Sequence, residues 1–165
     1  MEALTVWQPW AWAIGAGLKL IENRTWVPGW RRLTEGDDLA IHAGAHVPSA
    51  TDFATVQKAI KAMGREMPPS YAHEFSGTLG RGRIVAVVTF AGVARGLDQV
   101  DPAQHPWWIG PYGWLFTNVR QLQLGSAPSA LGQQGLWPLA PGTEKQVRSQ
   151  LEARNEGQLW RKTAA

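Results

Sequence analysis

Lys19, Glu22 and Arg24 fall within one short stretch, with Gln8 and Trp10 ahead of them and Trp26 just behind. Residues of these types can do three things together. Indole faces stack on a flat heterocycle, cations meet phosphate oxygens, and the Gln8 amide carries the donor and acceptor needed to read a base edge. Alternatively, a lysine buried near another cation gives up its proton and acts as base or nucleophile, with Glu22 moving protons. The third possibility is purely structural: the three charges form an ion pair, and Gln8 caps the start of a helix.

The charge pattern continues beyond this stretch. Lys19, Arg24, Arg31 and Arg32 against Glu22 carry +3, as much as the net charge of the whole chain. Trp26 and Trp30 lie among them, the combination of stacking and phosphate contact seen on single-stranded nucleic-acid surfaces. A solvated face with a turn tryptophan packed beneath it would read the same way. Further on, Trp107-Trp108 precede the turn Ile109-Gly110-Pro111, which enters a strand with Tyr112 and Trp114 on one face. Trp108 and Tyr112 are therefore candidate ligand walls, with a tight turn feeding the core as the alternative. The candidate binding set is Gln8, Trp10, Lys19, Glu22, Arg24, Trp26, Arg31, Arg32, Trp108 and Tyr112. Lys19 and Glu22 are also the catalytic candidates if the chain is an enzyme.

Composition removes several other chemistries. With no cysteine, disulfides and thiolate metal sites are excluded, and the chain fits a reducing cytoplasm. His42 and His46 have no carboxylate near them in sequence, so no metal or other cofactor is expected. The Gly77 to Gly82 segment lacks the Lys-Ser/Thr ending of a phosphate loop, and no serine sits in a G-x-S-x-G elbow. No apolar run approaches the roughly 20 residues needed to cross a bilayer, and the amino end has no basic region leading into an apolar stretch. Neither a membrane nor secretion is expected. Eleven of the 16 basic residues are Arg, which grips phosphate as a fork and stacks on rings. Ten tryptophans in 165 residues exceed what a core of this size usually accommodates, which leaves some rings for a ligand.

These groups must be held by elements that the pattern also predicts. Leu4 and Val6 read as an entry strand, and Pro9 opens a helix whose face is Trp10, Ala13, Ile14 and Gly17. From Lys19 to Trp26 the chain alternates, so Glu22 and Arg24 share a strand face and can pair. Leu39–Ala43 is a strand with His42 at the barrel mouth. Phe53, Val56, Ile60 and Met63 mark a helix over 51–64 with Lys58 and Lys61 outside. Ile84–Phe90 is apolar on both faces, as a central strand with a core on one side and a covering helix on the other would be, and Gly92 marks a bend. Residues 97–111 read as loop, 112–124 as a strand, and 135–139 as a closing strand. Thr143 and Gln146 have capping-box spacing for a last helix over about 143–160. No linker divides the chain. The expected fold is α+β, one domain over 1–165, with a small barrel of five or six strands over about 3–139 and inserted and flanking helices.

Three blocks of the sequence resemble the ASCH domains of the PUA-like superfamily. The first is Gln8-Pro9-Trp10-Ala11 followed by Gly17-x-Lys19-x-x-Glu22-Asn23-Arg24-Thr25-Trp26. The second is Leu39-Ala40-Ile41-His42-Ala43. The third runs through Gly82-Arg83-Ile84-Val85-Ala86-Val87-Val88, Tyr112-Gly113-Trp114-Leu115-Phe116 and Gly135-Leu136-Trp137-Pro138-Leu139. The insert over 47–76 and the last helix lie outside the resemblance. It implies a PUA-like barrel whose cleft, lined by the Gly-x-Lys-x-x-Glu-x-Arg segment, binds RNA or single-stranded DNA. The likeness is closest to the branch found in transcription-coactivator proteins. Related EVE and YTH domains cage modified bases between aromatic rings, so a modified nucleoside is a further expected ligand. A compact ASCH branch hydrolyses N4-acylated cytidines with a Lys, a Thr and a downstream Glu. Lys19 matches the first of these, Glu22 occupies the position of the Thr, and Glu74 is a loose counterpart of the third. Ribonuclease activity is attributed to other members. A protein-interaction domain presenting tryptophan hot spots is the remaining alternative.

Overall fold

The computed structural model describes residues 1–68 and 80–163, with side chains up to residue 154. Glu74 and Gly77 lie outside the described residues. The elements are β1 (Glu2–Val6), α1 (Trp10–Gly15), β2 (Ile21–Arg24), β3 (Asp38–Ala43), α2 (Ala50–Ala62), β4 (Arg83–Ala94), β5 (Tyr112–Gln121), β6 (Leu136–Pro138) and α3 (Pro141–Thr163). Short 3-10 turns occupy Leu97–Gln99, Pro102–Trp107 and Leu124–Ser126, the first two within the stretch expected to be irregular. The strands make one sheet in the order β2-β5-β4-β3-β1-β6. β1 runs parallel to β3, and every other neighbouring pair is antiparallel. The sheet curls into a half-barrel with flanking helices, an α+β fold, and β2 and β6 form its two edges.

The curl follows from where apolar residues fall. One core cluster gathers Leu4, Val6, Leu39, Ile41, Val88, Phe90, Trp114 and Phe116 from the strands around Ala11 and Ile14 of α1. α1 has buried residues all along Ala11–Gly15 because it sits inside the curl, and Gly17, at φ +69°, turns the chain out of it. A second cluster joins Trp12 and Ile21 to Val56 and Ile60 of α2 and to Trp107. The third puts Ala40, Ile84 and Val87 on the far side of the sheet, under Val147 of α3. Strand β4 thus has core on both faces, as its unbroken apolar run demands. It continues to Ala94 through a register shift between Phe90 and Gly92, where Gly92 adopts φ +113°.

Helix ends show where local chemistry outweighs periodicity. α2 starts one residue before the expected Thr51. Ser49 and Asp52 form a capping box there, with Asp52 N donating to Ser49 Oγ at 3.2 Å and Ser49 N to Asp52 Oδ2 at 2.7 Å. α3 starts at Pro141 rather than Thr143, with the proline in the first helical position, where its missing N–H costs nothing.

His42 is buried on the α3 side of the sheet rather than at an open mouth. Trp137 Nε1 donates to Thr5 Oγ1 at 3.2 Å, Thr5 Oγ1 lies 3.2 Å from His42 Nδ1, and His42 Nε2 lies 3.1 Å from Ala130 O. In the neutral ring, Nε2–H donates to the Ala130 carbonyl and Nδ1 accepts from the Thr5 hydroxyl, which itself accepts from Trp137. Burial holds the His42 pKa below the ordinary 6.5, with the Ala130 bond opposing.

Two predictions follow from this packing. Below about pH 6.5 the unfolded chain takes up the His42 proton more readily than the folded one, so stability falls with acidification until the folded pKa is passed. Urea midpoints measured between pH 7.5 and 5.5 should drop, and His42→Gln should flatten that slope. Gly113 leaves no room for a side chain, since a Cβ there would lie 2.3 Å from Ile21 Cδ1 and 2.9 Å from the Trp108 ring. Gly113→Ala should therefore cost about 1–3 kcal/mol in urea unfolding.

Candidate functional site

The charged residues of the amino-terminal stretch form a chain of contacts. Lys19 lies in the turn between α1 and β2, and its ammonium donates to Glu22 Oε2 and to Ile21 O. The other Glu22 oxygen, Oε1, is 3.2 Å from Arg24 Nη2. That same Nη2 donates to Thr5 O at 2.7 Å. Thr5 belongs to β1, and in the sheet β5, β4 and β3 lie between β2 and β1. Arg24 thus reaches across the inside of the curl and ties its two sides together. Glu22 faces Trp114 and Arg24 faces Tyr112 in the β2–β5 register, so all four point to the inner side.

Exposure falls along this chain from 22% for the Arg24 side chain to 2% for Lys19. Burial lowers the Lys19 pKa, against the opposing attraction of Glu22. Two cations share one carboxylate, which leaves the group at +1. Arg24 Nε is buried with no hydrogen-bond partner among the described residues.

Gln8 and Lys19, expected to face a ligand, are buried instead. The Gln8 Oε1 accepts from Trp12 N at 3.0 Å. It does so because Pro9, at the N-cap, has no side-chain acceptor to offer. Trp10 is half-buried and packs against two of the core clusters. Lys19 is sealed, with its protons directed at Glu22 and Ile21. Trp26 sits edge-on to Trp114, with ring centres 4.7 Å apart, and its carbonyl accepts from Trp114 Nε1 at 3.1 Å. Gln8 and Lys19 flank α1, which fills the inside of the curl, so they are packed rather than presented, while Trp10 and Trp26 are half-buried.

The remaining candidates are exposed or half-buried, in three places. Trp30 is 72% exposed, and the Arg31 guanidinium lies over its ring at 4.9 Å. Arg32, also in that loop, makes a two-pronged pair with Glu2 at 3.2 and 2.6 Å, so its charge is already matched. Tyr112 is half-buried beside Arg24, and Arg95 lies over its ring at 5.5 Å. Trp108 is half-buried against the Ile21–Trp107 cluster, on the face of β5 to which Gly113 points, in a loop pinned by Asn23. The Asn23 Nδ2 donates to Trp107 O, and its Oδ1 accepts from Ile109 N, both at 2.8 Å.

Sequence reasoning missed Arg95, Asn23 and Trp7. Arg95 comes beside Tyr112 only because Ala94 pairs with Gly113 across β4 and β5, a long-range register that no local pattern carries. Asn23, next to the charged pair, could have been read as a loop anchor. Trp7 is 58% exposed and stacks on His46 at 4.6 Å. Among the described residues, no cluster of three or more metal-ligating side chains occurs. No described helix is long and apolar enough to cross a membrane.

The sequence profile of the ASCH domain family matches residues 4–122, well over half of the chain. The chain belongs to the ASCH domain family. The match runs from β1 through β5 of this ASCH domain and leaves β6 and α3 outside it. Among solved structures it is similar to the ASCH protein of Zymomonas mobilis, at 13% identity over 90% of this chain and 93% of that one, with a TM-score of 0.47. A tyrosine-to-phenylalanine variant of the same protein is 10% identical over 90% and 96% of the two chains, with a TM-score of 0.50. At such identities the likeness is one of fold. No curated protein matches this ASCH domain.

The buried contacts give a stability test. Glu22→Gln strands the Lys19 ammonium away from water without an anion and should cost about 3 kcal/mol or more in urea unfolding. Lys19→Met should cost less, because Glu22 keeps Arg24. The double variant should recover part of the loss, a coupling that a double-mutant cycle reads directly.

Proposed function

We propose that this ASCH domain binds RNA or single-stranded DNA at its surface. The observation that carries the reading is a pair of guanidinium–aromatic contacts, Arg95 over Tyr112 and Arg31 over Trp30. Each puts a π-face and a phosphate-seeking cation side by side on residues that solvent reaches. The overall charge of +3 favours a polyanion. Membership of a PUA-like family often linked to RNA binding points the same way. A modified base resting against Tyr112 is a finer form of this reading, as is kinship with the transcription-coactivator branch through Gln8-Pro9-Trp10 and Glu22-x-Arg24-x-Trp26. A cytoplasmic setting, expected from the absence of cysteine, belongs to the same proposal.

Binding is favoured over hydrolysis by the placement of Lys19. A base or nucleophile must reach its substrate, whereas this ammonium is buried and hydrogen-bonded to Glu22 and Ile21 O. Clean turnover of N4-acetylcytidine, lost in Lys19→Ala, would reverse that preference.

Fluorescence anisotropy with a labelled single-stranded oligonucleotide tests the proposal. Affinity should fall steeply with salt, and Arg31→Ala should reduce the slope of log K against log salt by about one. Arg32→Ala should change the slope less, because Glu2 already neutralises Arg32. Tyr112→Ala should lose about 1–3 kcal/mol if a base stacks there. Binding indifferent to salt, or to both Arg31 and Tyr112, would refute the assignment.

A further inference from the structure

Beside β5, between the turn that ends α1, the end of α2 and the Val100–Gln104 segment, lies a cavity of about 460 Å³. It contains none of the residues proposed to meet nucleic acid. Its walls are apolar, formed chiefly by Leu20, Met63, Val100, Leu115 and Phe116. Gln104 also lines it and holds its shape: Oε1 accepts from Leu20 N at 2.7 Å and Nε2 donates to Leu18 O at 3.3 Å. A lining tied down in this way is preformed rather than induced, and the volume lies in the range of small-molecule sites.

Two opposite charges line the same cavity, Arg65 and Asp101. They are not paired with each other, and the Arg65 guanidinium has no ion-pair or hydrogen-bond partner among the described residues. Asp101 Oδ1 accepts from Ala103 N at 2.8 Å as the cap of a 3-10 turn, and its Oδ2 has no partner among the described residues. An apolar trough with one unpaired charge of each sign discriminates among ligands. A simple acid gains Arg65 but meets repulsion from Asp101, and a simple amine meets the reverse. A ligand that carries both charges and an apolar body satisfies every surface.

We propose that this cavity binds a zwitterionic α-amino acid with a large apolar side chain. The carboxylate meets Arg65, the ammonium meets Asp101, and the side chain lies against Leu20, Val100 and Leu115. The site is independent of the nucleic-acid surface, so either assignment can fail alone.

Titration of the full chain with L-phenylalanine, followed by amide NMR shifts, tests the site. The Gly17, Ala103 and Thr117 amides should move together and saturate. 3-Phenylpropionate and 2-phenylethylamine, each lacking one charge, should bind about tenfold more weakly, as expected for loss of one charge-assisted hydrogen bond. Arg65→Gln should weaken L-phenylalanine by a similar factor. Asp101→Asn should do the same while keeping the turn cap, which asparagine supplies equally well. Oligonucleotide affinity should be unchanged in both variants. The proposal is overturned by the absence of saturable shifts with L-phenylalanine, by equal affinity for the three probes, or by undiminished affinity in both variants.

Discussion

The contact between Arg24 and the Thr5 carbonyl carries the architecture. A six-stranded sheet in the order seen here is open, with β2 and β6 at its ends, and backbone hydrogen bonds do nothing to bring β2 toward β1. A guanidinium reaching across the inside of the curl does what a closing strand pair does in a full barrel. It can do so only if held straight, and Glu22 holds it while being held in turn by Lys19. The three charges are best read as a structural strut, with its outer end near solvent and its inner end in the core. A strut of this kind adds little net stability, since burying charge is costly, but it fixes one spacing between the two sides of the curl.

Much of the fold was legible in the residues. The apolar run Ile84–Phe90 required a central strand with core on both faces, and the Phe53, Val56, Ile60 spacing required a helix with one buried stripe. Alternation placed Glu22 and Arg24 on one face, and they pair. What could not be read was depth. Trp10, Gln8 and Lys19 have the composition of a ligand site, yet α1 is enclosed by the sheet on account of its own apolar surface, which buries its neighbours with it. Polar type says what a residue can do; whether water reaches it depends on long-range pairing. The same holds for Arg95, which comes beside Tyr112 only through the β4–β5 register.

The surface that remains for a partner is therefore different from the one the sequence marks most strongly. The conspicuous tryptophan–cation stretch supplies the interior, while the solvent-facing combinations come from the loop after β2 and from the junction of β4 and β5. Arg31 and Arg32 show how adjacent identical residues diverge: one lies over an indole, the other is neutralised by Glu2. Counting basic residues along the chain overstates the field available to a polyanion, because Lys19, Arg24 and Arg32 each face a carboxylate.

The placement of β1 between β3 and β6 has a consequence for synthesis. Of the six strands, β1 is made before the others; it acquires one neighbour from β3 but must wait for the other, since the Trp137 indole that bonds to Thr5 is made 132 positions later. Until then that side of β1 is an unpaired row of amides and carbonyls beside apolar Leu4 and Val6. Such an edge invites pairing with other nascent chains. The brevity of β1, and a partner strand of only three residues ending in a proline, limit how long a mistaken ladder could grow.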